Sequence, residues 1–158
     1  MNDNSAPGIV VLGGINMDLV TYSDRFPGDG ETVVGRHFVT YAGGKGANQA
    51  VAAARMGGRT AMVGRVGDDI FGPQLLEGMR QAGIDVSRVA VWPGEISGIA
   101  VISIDGSAQN RIVQVLGANA TCAEAEAARA IAAIAGASVL MLQLDGCTLD
   151  TRSPRTGL

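Results

Sequence analysis

Cysteine and histidine are scarce: the 158 residues hold two cysteines, Cys122 and Cys147, and one histidine, His37. The cysteines form no C-x-x-C pair, and a zinc site needs more ligands at closer spacing. A zinc centre is therefore excluded, and two reduced thiols are expected. Positive charge is also in short supply. Twelve Lys and Arg against fifteen Asp and Glu leave a net charge of −3 and a pI near 5.0, which argues against the basic face that nucleic-acid binding needs. Long apolar runs are missing too. The longest, residues 130–142, has 13 residues and includes Ser138, short of the roughly 20 that a membrane-spanning helix requires. The start, Met1-Asn2-Asp3-Asn4-Ser5, is polar and acidic and lacks the basic-then-apolar pattern of a secretory signal. The expectations are no nucleic-acid partner, no membrane association and a cytoplasmic location.

Glycine is abundant, at 23 residues, and follows no collagen-like period, so it predicts tight turns and close backbone approaches. With 47% apolar and 17% charged residues the chain has the composition of a core-forming domain. Its length suits one such domain.

Ile9-Val10-Val11-Leu12 is a β-branched run ending at Gly13-Gly14, which predicts a strand buried on both faces of a parallel sheet. Pro27-Gly28-Asp29-Gly30 marks a turn, and the half-polar stretch 32–39 suits strands that cover something. Gly43-Gly44-Lys45-Gly46-Ala47-Asn48 precedes a strong helix former at 49–56, stopped by Gly57-Gly58. Residues 61–64 predict a strand. Asp69-Ile70-Phe71-Gly72 opens a second helix over 73–81, which has Leu75, Leu76 and Met79 on one face and ends at Gly83. Residues 98–104 and 111–116 alternate and are joined through Asp105-Gly106, a hairpin signal. Thr121 and Glu124 have capping-box spacing for an alanine-rich helix reaching about Ala135. Val139-Leu140-Met141-Leu142-Gln143-Leu144 is another buried-type strand. Alternating strands and helices predict an α/β fold with a parallel sheet and right-handed crossovers. The strand regions near 18–41 and 97–116 fit a separate small β layer.

The strand at 139–144 carries apolar groups on both faces, so helices should cover both sides and a further strand should pair with it. Only 14 residues follow, and Ser153-Pro154-Arg155 breaks any helix among them. Leaving three or four such side chains uncovered forfeits roughly 5–10 kcal/mol, against a whole-domain stability of about 5–15 kcal/mol. A truncated fold with an atypical tail over 146–158 is expected, and its uncovered edge should aggregate.

Two segments could carry chemistry. The glycine-rich loop 43–46 opens a helix, whose free N–H groups and dipole favour oxygen-rich ligands, and Lys45 and Asn48 add a cation and an amide. Standard nucleotide loops fail here. Val39 and Gly46 occupy the places where a Walker A loop needs Gly and Ser/Thr, and Gln49 stands where the dinucleotide fingerprint needs its last Gly. The second segment is Gly13-Gly14-Ile15-Asn16-Met17-Asp18, past the carboxyl end of the first strand, where open parallel sheets bind ligands. Asn16 and Asp18 can together donate to and accept from hydroxyls. His37 reads as a surface residue, and Phe71 and Trp92 read as packing anchors.

Taken in order, G-G-I-N-x-D (13–18), P-x-x-G-E-T (27–32), G-G-K-G-A-N-Q-A-V-A-A-A-R (43–55), V-G-x-D-x-F-G (66–72) and G-A-N-A (117–120) resemble the ribokinase family of PfkB-type carbohydrate kinases. The resemblance runs from residue 8 to about 145. It implies a three-layer αβα body with a parallel sheet, a small β-sheet lid from the 18–41 and 97–116 strands, and residues 1–145 as the N-terminal sugar-binding part. It also implies sugar contacts from Asn16, Asp18, Gly44, Lys45, Asn48 and Asp145, the last in place of the family's usual Glu. The lid would close over the sugar and exclude water, and would pair two subunits into a homodimer. Full-length members transfer the γ-phosphoryl of ATP, with Mg2+, to the 5-hydroxyl of D-ribose. Siblings act on other sugars or nucleosides. The family's G-A-G-D general base and its N-x-x-E motif are absent from this sequence, so no catalytic residue is expected and the chain should be inactive. A sugar-binding or subunit-interaction module is the non-enzymatic alternative.

Overall fold

The apolar run at the start of the chain forms β1 (Ile9–Leu12), and the elements that follow are β2 (Asn16–Tyr22), β3 (His37–Gly43), α1 (Lys45–Arg55), β4 (Thr60–Gly67), α2 (Phe71–Gln81), β5 (Asp85–Trp92), β6 (Gly98–Ile104), β7 (Asn110–Val115), a 3₁₀ turn (Gly117–Thr121), α3 (Glu124–Ile134) and β8 (Val139–Leu142). This computed structural model describes residues 8–121 and 124–144. The thiols of Cys122 and Cys147, the Asp145 contact and the tail 146–158 lie outside the described residues.

Four parallel strands in the order β5-β4-β1-β8 form the body, with Ile9 to Leu12 in register with Thr60 to Val63 on one side and Val139 to Leu142 on the other. Successive side chains alternate between two helical layers. Val11 and Met62 pack against Ala47 and Ala50 of α1 and Leu75 and Met79 of α2. Val10, Leu12 and Val63 meet Ala130 and Ala133 of α3 on the other face. Each fully buried Val, Leu or Met contributes about 1.5–3 kcal/mol, so this double burial is what holds β1 and β4 at the centre. At the edge, Val139, Leu140, Leu142 and Leu144 are exposed. The expectation of an incompletely covered strand holds among the described residues.

The second sheet has the order β3-β2-β6-β7, with β2 parallel to β6 and antiparallel pairs at both ends. Its register gives two faces. One carries the row Tyr41, Asp18, Ala100 and Gln114; the other carries Thr40, Leu19, Val101 and Val113. This is the predicted small layer, and β2 joins it to the carboxyl end of β1.

Three of the boundaries that differ from expectation have a local cause. α1 starts at Lys45, not at 49, because Asn48 N–H donates to the carbonyl of the N-cap Gly44 (2.8 Å) and closes the first turn over Lys45, Gly46 and Ala47. α2 starts at Phe71 because the Asp69 carboxylate accepts the Phe71 and Gly72 amides (3.2 and 3.0 Å), satisfying donors that a helix start leaves free. The β6–β7 hairpin uses a longer loop than Asp105-Gly106. Asp105 accepts the Ser107 and Gln109 amides, and Ala108 adopts φ 61°.

Among the described residues no hydrogen bond closes the expected Thr121–Glu124 capping box. The Thr121 hydroxyl donates to the Ala118 carbonyl (2.8 Å) and accepts from Arg65 Nη1 (2.6 Å). Arg65 is buried between β4 and α3. It pairs with the fully buried Glu126 (2.7 Å) and stacks on Trp92 at 3.9 Å. Trp92 therefore anchors a buried cation, while Phe71 packs on the core as expected. His37 is exposed at the start of β3, beside the Tyr22 ring.

Candidate functional site

The carboxyl end of β1 turns through Gly13-Gly14 directly into β2, which places Asn16 and Asp18 at the seam between body and lid. Chain reversal at 43–44 then drops the start of α1 onto the same seam. A side chain at Gly43 would meet the Asp18 carboxylate, with a Cβ only 2.7 Å from its Cγ. Gly44 adopts φ 93°, which L side chains rarely occupy. The Ala47 amide reaches back to the Gly14 carbonyl (3.2 Å). Gly44 is therefore required by the geometry that brings the helix start to the carboxylate, while a side chain at Gly43 would displace the carboxylate itself.

The result is a cleft of about 200 Å³ lined by Asn16 and Asp18 of β2 and by Gly44, Lys45 and Asn48 at the start of α1. Five of the six residues singled out in the sequence meet here. The lid side supplies Ile102, Ile112 and Gln114. Sequence reasoning missed Gln114 and Gln143. Gln114 sits across from Ala100 in the row that contains Asp18, and its polar side chain within an apolar strand was the available signal. Gln143 follows β8, and no local motif marks it.

Asp18 makes no hydrogen bond or ion pair with another described residue, and partial burial alone pushes its carboxyl above the ordinary range. Asn16 and Gln143 are both buried. Asn119 Nδ2 donates to Asn16 Oδ1 (2.9 Å), and Gly14 N–H donates to Gln143 Oε1 (3.2 Å). A carboxylate lacking a donor, beside carboxamides whose oxygens are already engaged, suits a ligand with several hydroxyls. Among the described residues no group of three His, Cys, Asp or Glu side chains could hold a metal ion.

Asp69 belongs to the scaffold. Burial works against its charge, but hydrogen bonds from the Ser97 hydroxyl (2.7 Å), the Ser97 amide (3.0 Å) and the Gly72 and Phe71 amides outweigh it and hold its carboxyl below the ordinary range. It ties the start of α2 to the start of β6. No described helix is long and apolar enough to cross a membrane.

An α/β body with a β-sheet lid over a polar cleft is the architecture of a carbohydrate kinase. Residues 6–157 match the pfkB family carbohydrate kinases, and the chain belongs to that family. It is 42% identical over 135 residues to the ribokinase of Bacillus subtilis (strain 168), which covers 85% of this chain and 46% of the relative. Ribokinase from Giardia lamblia superposes with a TM-score of 0.80 at 34% identity, covering 88% of this chain and 42% of that one. Arabidopsis thaliana ribokinase, solved with ribose and ATP, gives a TM-score of 0.74 at 33% identity, covering 87% and 45%. The chain spans less than half the length of the curated relatives it matches.

Proposed function

We propose that this chain is the sugar-binding half of a ribokinase-type kinase that transfers the γ-phosphoryl of ATP to the 5-hydroxyl of D-ribose. One observation carries the reading: the half-buried carboxylate of Asp18, without a donor among the described residues, lies in a cleft with Asn16, Gln143 and the start of α1. In this reading Asp18 accepts from two sugar hydroxyls while Asn16, Lys45 and Asn48 donate to sugar oxygens. Gly44 lets the backbone come close, and Asp145 is assigned a further contact through the resemblance alone. The lid strands would exclude water from the bound sugar. ATP use is supported by the relative solved with ribose and ATP. The described residues do not fit Mg2+, so no step through it is assigned to them. Phosphoryl transfer depends on positioning and electrostatic stabilisation, and this chain supplies the acceptor side of that positioning. A homodimer through the lid is part of the same proposal, supported by the exposed Phe38, Val101, Val113 and Val115 on the face away from the cleft.

Calorimetric titration of the purified chain with D-ribose, D-fructose and adenosine, alongside an ADP-release assay, tests the reading. Saturable ribose binding with no ATP turnover is expected. ATP- and ribose-dependent turnover by the 158-residue chain, or a folded chain that does not bind ribose, would overturn it. Tighter binding of fructose or adenosine would move the assignment to another acceptor within the family.

A further inference from the structure

We infer that Asn119, far from the sugar motifs in sequence, sets the hydrogen-bond polarity of the cleft by fixing which end of the Asn16 carboxamide faces it. The inference rests on the sugar-site reading above and extends it to a residue outside the cleft. Backbone groups, whose donor and acceptor identities are unambiguous, determine the orientation. Ile15 N–H can only donate, so the Asn119 atom 3.1 Å away is its oxygen. The other end of the same amide is then Nδ2, which donates to the Ile15 carbonyl at 3.0 Å. Asn119 Nδ2 also lies 2.9 Å from Asn16, so the Asn16 atom it meets must be an acceptor, Oδ1. The remaining polar end of Asn16 is its NH2 group, and Asn16 lines the cleft.

Gln143 is fixed by the same logic. Gly14 N–H donates to its Oε1, which leaves its NH2 as the other polar end, and Gln143 also lines the cleft. Two carboxamides are thus held as donors beside Asp18, which when ionised only accepts. The group seated over Asn16 must accept a hydrogen bond, while its neighbour donates to Asp18. Adjacent sugar hydroxyls meet both demands; an ammonium over Asn16 does not. Asn119 is a positioning residue in this scheme, because it acts on the sugar through Asn16. Its burial, at 4% exposure, and its place in the 3₁₀ turn pinned by the Arg65–Thr121 bond keep it from competing for the ligand.

Side-chain amide hydrogen exchange by NMR on the unmodified chain is the test. In the free protein the Asn119 NH2 protons should be protected, since both are hydrogen-bonded, and those of Asn16 should exchange freely. Saturating D-ribose should slow the Asn16 protons. Protected Asn16 NH2 protons beside freely exchanging Asn119 protons, without sugar, would overturn the inference. Correct free-state polarity with no response to ribose would instead overturn the sugar reading. Asn119→Leu provides a second measurement, by calorimetry with D-ribose and its 2- and 3-deoxy and deoxyfluoro analogues. At the position served by Asn16 the unmodified chain should rank hydroxyl above fluorine above hydrogen. The variant should lose about tenfold in ribose affinity, the scale of one hydrogen bond, and lose its preference for fluorine over hydrogen. An equal loss on every sugar would mark Asn119 as merely structural and overturn the inference.

Discussion

Replacing Gly44 by alanine tests whether the helix start is built against the cleft floor. The residue has φ 93° and ψ 132°, a conformation that costs a non-glycine residue about 1–3 kcal/mol. Its new Cβ would lie 2.7 Å from the Gly14 oxygen and 2.8 Å from the Asn16 nitrogen. Those neighbours are backbone and cannot swing aside, so overpacking adds about 1–3 kcal/mol. Gly44→Ala should therefore cost about 2–6 kcal/mol in total, and the displaced Asn16 should weaken ribose binding as well. Two controls separate the terms. Gly57 has φ 87° with nothing within 4 Å of an added Cβ, so Gly57→Ala should cost only the conformational strain, about 1–2 kcal/mol. Gly78 lies inside α2 with open space around it, so Gly78→Ala should stabilise by about 0.5–1 kcal/mol. Urea unfolding midpoints rank the three variants, and ribose calorimetry shows which one reaches the site. If Gly44→Ala and Gly57→Ala were indistinguishable in both assays, the close approach of α1 to the cleft floor would be refuted.

Other outcomes follow from the same contacts. Burial raises the native pKa of Asp18 above its unfolded value, so its contribution to stability is full below the usual carboxylate range, near about 3.9, and is lost as pH rises through the native value. Asp18→Asn should be more stable than the unmodified chain at neutral pH, should lose that advantage in acid, and should not bind ribose measurably. Asp69 is shifted the other way, so its contribution is present above the unfolded value and lost as pH falls through the native one. Asp69→Asn should be the less stable protein at neutral pH, with the gap closing in acid; denaturation across pH 3–8 reads both signs. Arg65→Met removes the buried guanidinium paired with the fully buried Glu126 and should cost about 3–5 kcal/mol, while Arg65→Met with Glu126→Leu should recover most of it. Val113→Asp on the outer lid face should dissociate the proposed dimer in sedimentation velocity. Leu140→Lys on β8 should instead suppress aggregation, and no effect from either would show that these faces do not associate.

Patterns confined to a few neighbouring residues are legible in the sequence. The run Ile9 to Leu12 is apolar at every position because both faces are covered, and alternation at 98–104 reflects a strand with one face toward a cleft. Glycines at 43 and 44 beside Lys45 and Asn48 announced a helix start open to a ligand. β5 was not legible. Asp85, Ser87 and Arg88 interrupt its apolar residues, and its register shifts against β4 between Ala61 and Val63.

The sequence by itself determined the helices and every strand but β5, the family and five residues of the cleft, because each is encoded by side chains close together along the chain. Only the tertiary structure decided the role of Thr121, whose capping spacing is real but whose hydroxyl is taken by a buried guanidinium 56 positions away. It alone placed Gln114 and Gln143 at the cleft and Asn119 behind it. Asn119 bonds Ile15 and Asn16 across more than 100 residues. The orientation of a carboxamide depends on which partners folding brings to its two ends, and no local pattern records that.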